Sequence, residues 1–386
     1  MKASSFAVFL TVFLTLYGLV NFYIYYRAGQ LIPAGSAARP WFIGGFIFVA
    51  LSYIGGRLLE KFTVCTASDA FIWIGSIWLG LMAYLAIGFL VADLLHGAAY
   101  LAHLALPGRV SLSAISRQLS GGLVVAIAAV TVAAGYVNAA NPLMNRLELE
   151  IKGKRTHLKS LNIALATDIH LGVIIGNGRF AKLVDRINEL NPDIILLAGD
   201  IVDEDIAPVI EENVGEKICM LKAKYGVYAV TGNHEYIGGV DEAVSYLVEH
   251  GITMLRDEAA VIDNAFVLAG REDLSGRQFS GTRRKPLANI LAGHTRDLPV
   301  ILMDHQPFGI PDAIAEEVDL LLCGHTHHGQ LWPFNYITSM IYEVSRGYRK
   351  FGSSHVYVSC GFGTWGPPVR TGNRPEIVNI LVKFSE

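Results

Sequence analysis

Four stretches of this chain, about 6–26, 41–59, 70–95 and 119–140, are apolar and almost free of charge. A helix needs about 20 apolar residues to cross roughly 30 Å of hydrocarbon at 1.5 Å per residue. The first, third and fourth stretches reach that length, and the second, shorter and glycine-rich, still suits a span. In water such helices would have no polar face to present. The distribution of charge points the same way: residues 1–141 carry ten of the 65 Asp, Glu, Lys and Arg residues, and the other 245 residues carry 55. The chain is therefore expected to open with a bundle of about four transmembrane helices over residues 1–141, followed by a connector over 142–160 and a water-exposed domain over 161–386.

Details of the apolar third agree with a membrane environment. Tyr and Trp gather at span ends, from Tyr17 to Tyr26 and at Trp41, as interfacial residues do. The first stretch is too long for the core of a cleaved signal, and Lys2 is its only basic leader residue. His96 and His103 follow the third span on an amphipathic tail to Leu106 and read as interfacial. Asp93, near the end of that span, has no assigned role. The net charge of −3 gives no global reason to expect nucleic acid as a partner. Cys65, Cys219, Cys323 and Cys360 form no CxxC pair, so they read as buried free thiols rather than a disulfide framework.

The remainder alternates strand-like and helix-like runs. Asn141-Pro142 ends the fourth helix, and a basic, polar connector runs from Arg146 to Lys159. An apolar run from Leu161 ends in Asp168-Ile-His170. Helical spacing at 180, 183, 184, 187 and 190 follows, stopped by Asn191-Pro192. A second strand-like run ends in Gly199-Asp200, a helix is expected over about 206–223, and a third run ends in Gly232-Asn233-His234-Glu235. Another helix, about 240–250, precedes short strands near 252–255, 259–263 and 265–269. Leu298 to Met303 ends in Asp304-His305, and Leu320 to Cys323 ends in Gly324-His325-Thr-His327-His328. A strand near 356–360 leads into a Gly/Pro-rich segment, and a last strand spans about 376–384. In open α/β sheets the carboxyl ends of strands carry the sites. Five strand ends that all bear Asp, Asn or His would assemble Asp168, His170, Asp200, Asn233, His305, His325 and His327. Such mixed carboxylate, amide and imidazole donors suit divalent ions such as Mn, Fe, Zn or Ni.

With these blocks in order, the region over about 160–384 resembles the calcineurin-like metallophosphoesterases, whose pattern is D-x-H, G-D, G-N-H-[DE], H and G-H-x-H. The segment Gly363-Thr-Trp365-Gly-Pro-Pro-Val-Arg370 is similar to one found in the membrane-associated bacterial branch of that family. The resemblance implies an α/β domain of two packed mixed β-sheets flanked by helices. It implies one ion held by Asp168, His170, Asp200 and His327 and a second held by Asp200, Asn233, His305 and His325. Such ions lie about 3.5–4 Å apart and share the hydroxide that attacks phosphorus. His234, which is not a ligand in the pattern, would protonate the leaving oxygen or stabilise phosphoryl charge.

Departures from the family carry information too. The protein phosphatases of the superfamily continue G-D as G-D-x-x-D-R-G, whereas here Gly199-Asp200 runs on to Asp203-Glu204-Asp205. The phosphate-binding arginine is absent, so a Ser/Thr protein phosphatase is not expected. Asp203 reads as a supporting residue rather than a ligand, and Glu235 as one that orients its neighbours. Arg271, Arg277, Arg283, Arg284 and Lys285 form either a solvated loop or a basic rim for anionic headgroups. Trp365 and Arg370 are candidate substrate contacts, as a wall and a phosphate clamp. His294 and His328 fall outside the pattern.

The expected activity is hydrolysis of a phosphodiester or pyrophosphate, lipid-linked because the spans hold the site beside a bilayer. A broad-specificity tethered phosphodiesterase or phosphatase, and a non-catalytic membrane sensor with a phosphoesterase-like domain, fit the same sequence. Lys2, Arg57, Lys61 and Arg146 with Lys152, Lys154 and Arg155 would face Arg27, Arg39, Arg109 and Arg117 across the membrane. That count leans towards a cytoplasmic N-terminus and catalytic domain, in a bacterial plasma membrane if the branch resemblance holds.

Overall fold

The computed structural model describes residues 3–106 and 116–385. Lys2 and Arg109, used above in the charge count, lie outside the described residues. The chain divides into two compact units, Met1–Tyr136 with Gly366–Val369, and Val137–Trp365 with Arg370–Glu386.

The first unit holds α1 (Ala3–Gly29), α2 (Ala38–Glu60), α3 (Thr66–Ala105) and α4 (Arg117–Ala139), the last of these running into the second unit. Among the described residues α2, α3 and α4 are long and apolar enough to cross a membrane, and α1 has 27 residues. The third stretch and its amphipathic tail form one unbroken helix of 40 residues, about 60 Å long. Small residues bring helices together: a Cβ on Gly75 of α3 would collide with Tyr53 of α2, and one on Gly88 would press on Val124 of α4. Several polar groups inside are paired. Trp78 Nε1 donates to Asn21 Oδ1 at 3.0 Å. Asp93 accepts from Arg27 Nε at 2.8 Å and from Tyr23 Oη at 2.7 Å. Its role is thus to neutralise Arg27 among apolar helices.

The second unit is α/β. Its elements are β1 (Leu143–Lys152), β2 (Ser160–Ala166), α5 (Asn177–Glu189), β3 (Ile194–Ala198), α6 (Ala207–Glu211), α7 (Gly215–Ile218), β4 (Val227–Val230), α8 (Asn233–Gly238), α9 (Val240–Glu249), β5 (Ile252–Met254), β6 (Glu258–Ile262) and β7 (Phe266–Gly270). They continue with α10 (Gly276–Phe279), α11 (Leu287–Ile290), β8 (Val300–Met303), α12 (Ile310–Ala315), β9 (Leu320–Cys323), α13 (Phe334–Ile341), β10 (Gly347–Phe351), β11 (Ser354–Val358) and β12 (Glu376–Ser385). Two six-stranded mixed sheets result, in the orders β1-β12-β2-β3-β4-β5 and β10-β11-β9-β8-β7-β6.

Alternate residues explain the layering. Leu161, Ile163 and Leu165 of β2, Leu196 of β3 and Val230 of β4 share one buried cluster with Leu268, Ile301, Met303, Leu320 and Leu322 of the other sheet. Their neighbours Val267, Val300, Leu302 and Leu321 point the other way, into a cluster with Leu287 and Ile290 of α11 and Ile310 and Ala313 of α12. Strands buried on both faces need unbroken apolar runs, which is why β3, β8 and β9 contain no polar residue. Strands β2, β3 and β4 run parallel, as do β7, β8 and β9. Within each sheet the carboxyl ends therefore open on one edge.

The structure corrects two expectations and refines a third. The connector over 142–160 contains β1, paired in parallel with β12. Its charges alternate with Leu147, Leu149 and Ile151, a period of two that buries one face and leaves Glu148, Glu150 and Lys152 exposed. The helix expected over 206–223 is the pair α6 and α7, broken where Asn213 adopts a left-handed φ of 50°. The four cysteines are free, with Cys323 and Cys360 buried but Cys219 exposed.

Replacing Asp93 with Ala leaves the Arg27 guanidinium without its carboxylate. We expect a loss of about 1 kcal/mol, read as a lower melting temperature of the solubilised protein. The double change Arg27→Leu with Asp93→Leu should cost less than the single one, because no charge is stranded.

Candidate metal centre

Each of the five sequence blocks stands immediately beyond a strand: Asp168-Ile-His170 after β2, Gly199-Asp200 after β3, the Gly232 block after β4, His305 after β8 and Gly324-His325 after β9. The turns are tight. Asp168, His170, Asp200, His325 and His327 all have positive φ, between 44° and 71°. Non-glycine residues adopt this conformation at a cost of order 1–3 kcal/mol each, so the surrounding contacts hold five of the seven expected ligands in strain. Two glycines are required by crowding. A Cβ on Gly232 would overlap Asp200 Oδ1, and one on Gly324 would overlap Asp168 Oδ2.

All seven expected ligands come together. Asp168, His170 and His327 form one donor group, and Asp200, His305 and His325 another, with ligand atoms inside each group within 4.8 Å of one another. His170 Nε2 lies 4.0 Å from Asp200 Oδ2, which links the two. Asn233 Oδ1 stands 2.8 Å from His325 Nδ1 in the second group. A third cluster, His170, Asp203 and His234, adjoins the first.

The second coordination layer fixes these side chains. His325 N donates to both oxygens of Asp168, at 2.9 and 3.1 Å, and His234 N donates to Asp200 Oδ1 at 2.9 Å. His305 Nδ1 donates to Ala198 O at 2.9 Å, which turns Nε2 towards Asp200. That Nε2 is buried without a hydrogen bond, 3.1 Å from Asp200 Oδ2. Glu235 is fully buried, and its two oxygens take Ile201 N at 2.6 Å, Val202 N at 2.9 Å and Gly232 N at 2.7 Å. It straps the loop after β3 to the loop after β4. Asp203 Oδ1 lies 3.4 Å from His170 Nδ1 and 3.1 Å from His234 Nδ1. One carboxylate thus orients both rings from behind.

The protonation states suit cation binding. Burial disfavours charge on Asp200, but His305, His234 and His170 outweigh it and hold its carboxyl well below the usual range. Burial also disfavours the charged form of His327, and Arg370 and His170 add to the effect, so that ring stays neutral. Burial and His305 lower His325 likewise. For His234 burial lowers the pKa, but Asp200 and Asp203 prevail and push it up to about 9. His170 Nε2 and His327 Nε2 face each other at 3.0 Å. Arg370 Nη2 can only donate to His327 Nδ1, at 2.8 Å, which leaves Nε2 of His327 turned to His170. Converging imidazole and carboxylate donors, with a buried His305 Nε2 that lacks a hydrogen bond, fit a divalent metal site.

The two expected substrate contacts differ. Trp365 is 56% exposed, and its ring centroid lies 6.1 Å from that of His234. Gln330 clamps its backbone in both directions, at 3.0 Å each. Arg370, expected as a phosphate clamp, is fully buried. Its guanidinium donates to Cys360 O, Gly363 O, Asn373 Oδ1 and His327 Nδ1, so no donor faces outward. It is a positioning residue for His327, together with Asn373, whose Nδ2 donates to His327 O at 2.5 Å. Neither role had a sequence signal, because both depend on a loop folding back from the far end of the domain. The basic rim is also reduced. Arg271 and Arg284 turn inward to Asp304, and Arg277 and Arg283 stay exposed. His328 bonds Ser345 Oγ at 3.1 Å and does not join the cluster.

This fold and donor set define a metallophosphoesterase. A family model described as calcineurin-like phosphoesterase matches residues 161–329, and the chain belongs to that family. It is 34% identical over 240 residues to an uncharacterized metallophosphoesterase of Aquifex aeolicus, covering 61% of this chain and 89% of that one. It is 32% identical over 274 residues to a transmembrane protein with metallophosphoesterase domain from Danio rerio, covering 68% and 62%. A protein of the same description from Bos taurus is 31% identical over 280 residues, covering 69% and 63%. The chain thus spans somewhat less than two thirds of the two animal relatives. With its apolar helices, it is a membrane protein that carries a metallophosphoesterase domain.

Removing the strap should be costly. Glu235→Ala leaves three buried amides without an acceptor, and we expect a loss of about 2–4 kcal/mol, measured by denaturant unfolding of the solubilised protein. Glu235→Gln, which keeps one acceptor oxygen, should lose less.

Proposed function

We propose that the chain is a membrane-anchored phosphoesterase that uses two divalent ions to hydrolyse a phosphodiester or pyrophosphate carried by a lipid. Residues 1–141 cross the membrane several times, and the α/β unit faces the cytoplasm of a bacterial cell. The observation that carries the reading is the convergence of five strand ends on two adjacent donor groups joined through Asp200 and His170. One ion would be held by Asp168, His170, Asp200 and His327, the other by Asp200, Asn233, His305 and His325. Their ligand types suit Mn, Fe, Zn or Ni. When bound, such ions activate water and neutralise charge on the phosphoryl oxygens.

The protein's own contribution is positioning and proton delivery. Asp203 engages Nδ1 of His234 and so turns Nε2 away from the carboxylate. The raised pKa of His234 keeps a proton available for the leaving oxygen near neutral pH. Trp365, beside His234, forms a wall for the group that departs. Asp203-Glu204-Asp205 stands where protein phosphatases keep an arginine, which favours a substrate other than a phosphoprotein. Tethering beside a bilayer supports a lipid-borne substrate.

The test is turnover by the full chain in lipid nanodiscs with Mn²⁺, using a soluble aryl phosphodiester, and metal content by elemental analysis. We expect hydrolysis that a chelator abolishes. His234→Ala should lower kcat by about 10²- to 10⁴-fold while metal content is unchanged. Asp200→Asn should lose tight binding of both ions, since it removes the shared charge. A folded, metal-loaded chain that hydrolyses no phosphoester would leave the non-catalytic sensor as the reading.

A further inference from the structure

We propose that α13, with Trp332 just before it, is a bilayer-docking element of the α/β unit, seated in the lipid interface beside the metal centre. A surface helix in water normally buries one face. Helix α13 buries no residue at all. Tyr336 is 61% exposed, Ile337 50%, Met340 78% and Ile341 59%, and Trp332 adds 52%. The twelve residues Leu331–Tyr342 contain no Asp, Glu, Lys, Arg or His. An apolar patch of this kind on a protein surface marks an interaction site.

Three observations select the bilayer as the occupant. First, the protein is a membrane protein, and only Ala140, Asn141 and Pro142 stand between α4 and β1. The α/β unit therefore starts within about 14 Å of contour length of the last apolar helix, so lipid is the apolar phase within reach. Second, the patch has the residue types of interfacial helices, Trp, Tyr, Phe, Ile and Met, with the small polar Thr338 and Ser339 between them. Third, the chain beyond it exposes Arg346, Arg349 and Lys350 against one exposed carboxylate, Glu343. That local excess of positive charge complements anionic headgroups.

The helix is tied to the metal centre at both ends. At its start, the backbone of Phe334 and Asn335 packs so closely on Gly329, two residues past His327, that no Cβ fits there. Just after its end, the Tyr342 ring packs on Phe308 with centroids 4.9 Å apart and planes tilted by 37°, and it lies 6.1 Å from that of His325. Docking of α13 would thus bring the loops bearing His325 and His327 to the headgroup layer. If the phosphoesterase reading above holds, on which this consequence rests, the substrate class narrows to phosphoesters in lipid headgroups.

The experiment uses the full chain in vesicles of phosphatidylcholine with phosphatidylglycerol. In a Cys65→Ser, Cys219→Ser background, Met340→Cys carries a bimane label, with Glu211→Cys, at the exposed end of α6, as the control. We expect the label at 340 to be quenched by lipids with a doxyl group near the headgroup, and to be about fivefold less accessible to iodide than the control. Equal access to iodide without lipid quenching overturns the proposal. Shielding from iodide without lipid quenching also overturns it, and points to a second copy or a protein partner. In a second arm, Ile337→Asp with Met340→Asp should lower hydrolysis of a bilayer-borne phosphodiester about tenfold and leave a soluble aryl phosphodiester unaffected. Equal loss on both substrates would mean that α13 merely supports the fold, against the proposal. If the wild type hydrolyses neither substrate, the phosphoesterase reading fails, and the quenching measurement still decides the docking.

Discussion

The architecture depends on one topological constraint: the strands that carry the candidate ligands run parallel within each of two stacked sheets. Strands β2, β3 and β4 supply Asp168, His170, Asp200 and Asn233 from one sheet, and β8 and β9 supply His305, His325 and His327 from the other. An antiparallel neighbour would send its carboxyl end to the far side of the domain. Parallel pairing instead brings every polar block to one edge, while the apolar runs fill the space between the sheets. The price is local strain, since five of the candidate ligands have positive φ. The strain is tolerated because the loops are braced by short bonds from buried carboxylates to backbone amides: Glu235 to three, Asp168 to one and Asp200 to one.

The braces also explain the electrostatics. Asp168, Asp200 and Asp203 are buried with His170, His234 and His305 around them. Isolated charges there would be untenable, so the carboxylates and imidazoles are packed against one another. His305 is driven well above its usual range by Asp200 in spite of burial, whereas Arg370 and burial hold His327 neutral. The donor groups therefore stand together in the folded chain, in an arrangement that divalent ions could take up.

Much of this was legible in the sequence, and the reason is periodicity. An apolar run that ends in Asp, Asn or His announces both a buried strand and the edge it serves, so the seven residues that come together could be grouped from strand ends alone. Glu235 was legible as a supporting residue because it adjoins the third block. Arg370 was not, because its function is set by where a loop 43 residues beyond His327 folds back. A sequence shows an arginine in a Gly/Pro-rich segment, but not that carbonyls of Cys360 and Gly363 will enclose it. Strand β1 was hidden for a different reason: it is an edge strand, and its exposed charges masked the alternation of Leu147, Leu149 and Ile151. The break between α6 and α7 turns on a single left-handed asparagine, which helical spacing does not reveal.

The same logic bears on α13. Read as sequence, Leu331–Tyr342 is an uncharged stretch too short to cross a membrane, and nothing separates it from a core helix. Burial supplies the distinction, because every neighbouring helix longer than a single turn hides apolar side chains and α13 hides none. A soluble domain gains nothing from holding Met340 and Ile341 in water, and the roughly 25 cal/mol per Å² of apolar surface left exposed is stability forgone. That cost is recovered only if another apolar phase covers the helix. In a chain whose α4 ends three residues before β1, the bilayer is the phase already at hand. Fold, metal centre and membrane then form one argument: the glycine-rich turn that delivers His325 and His327 also launches the helix that would bring the site to its substrate.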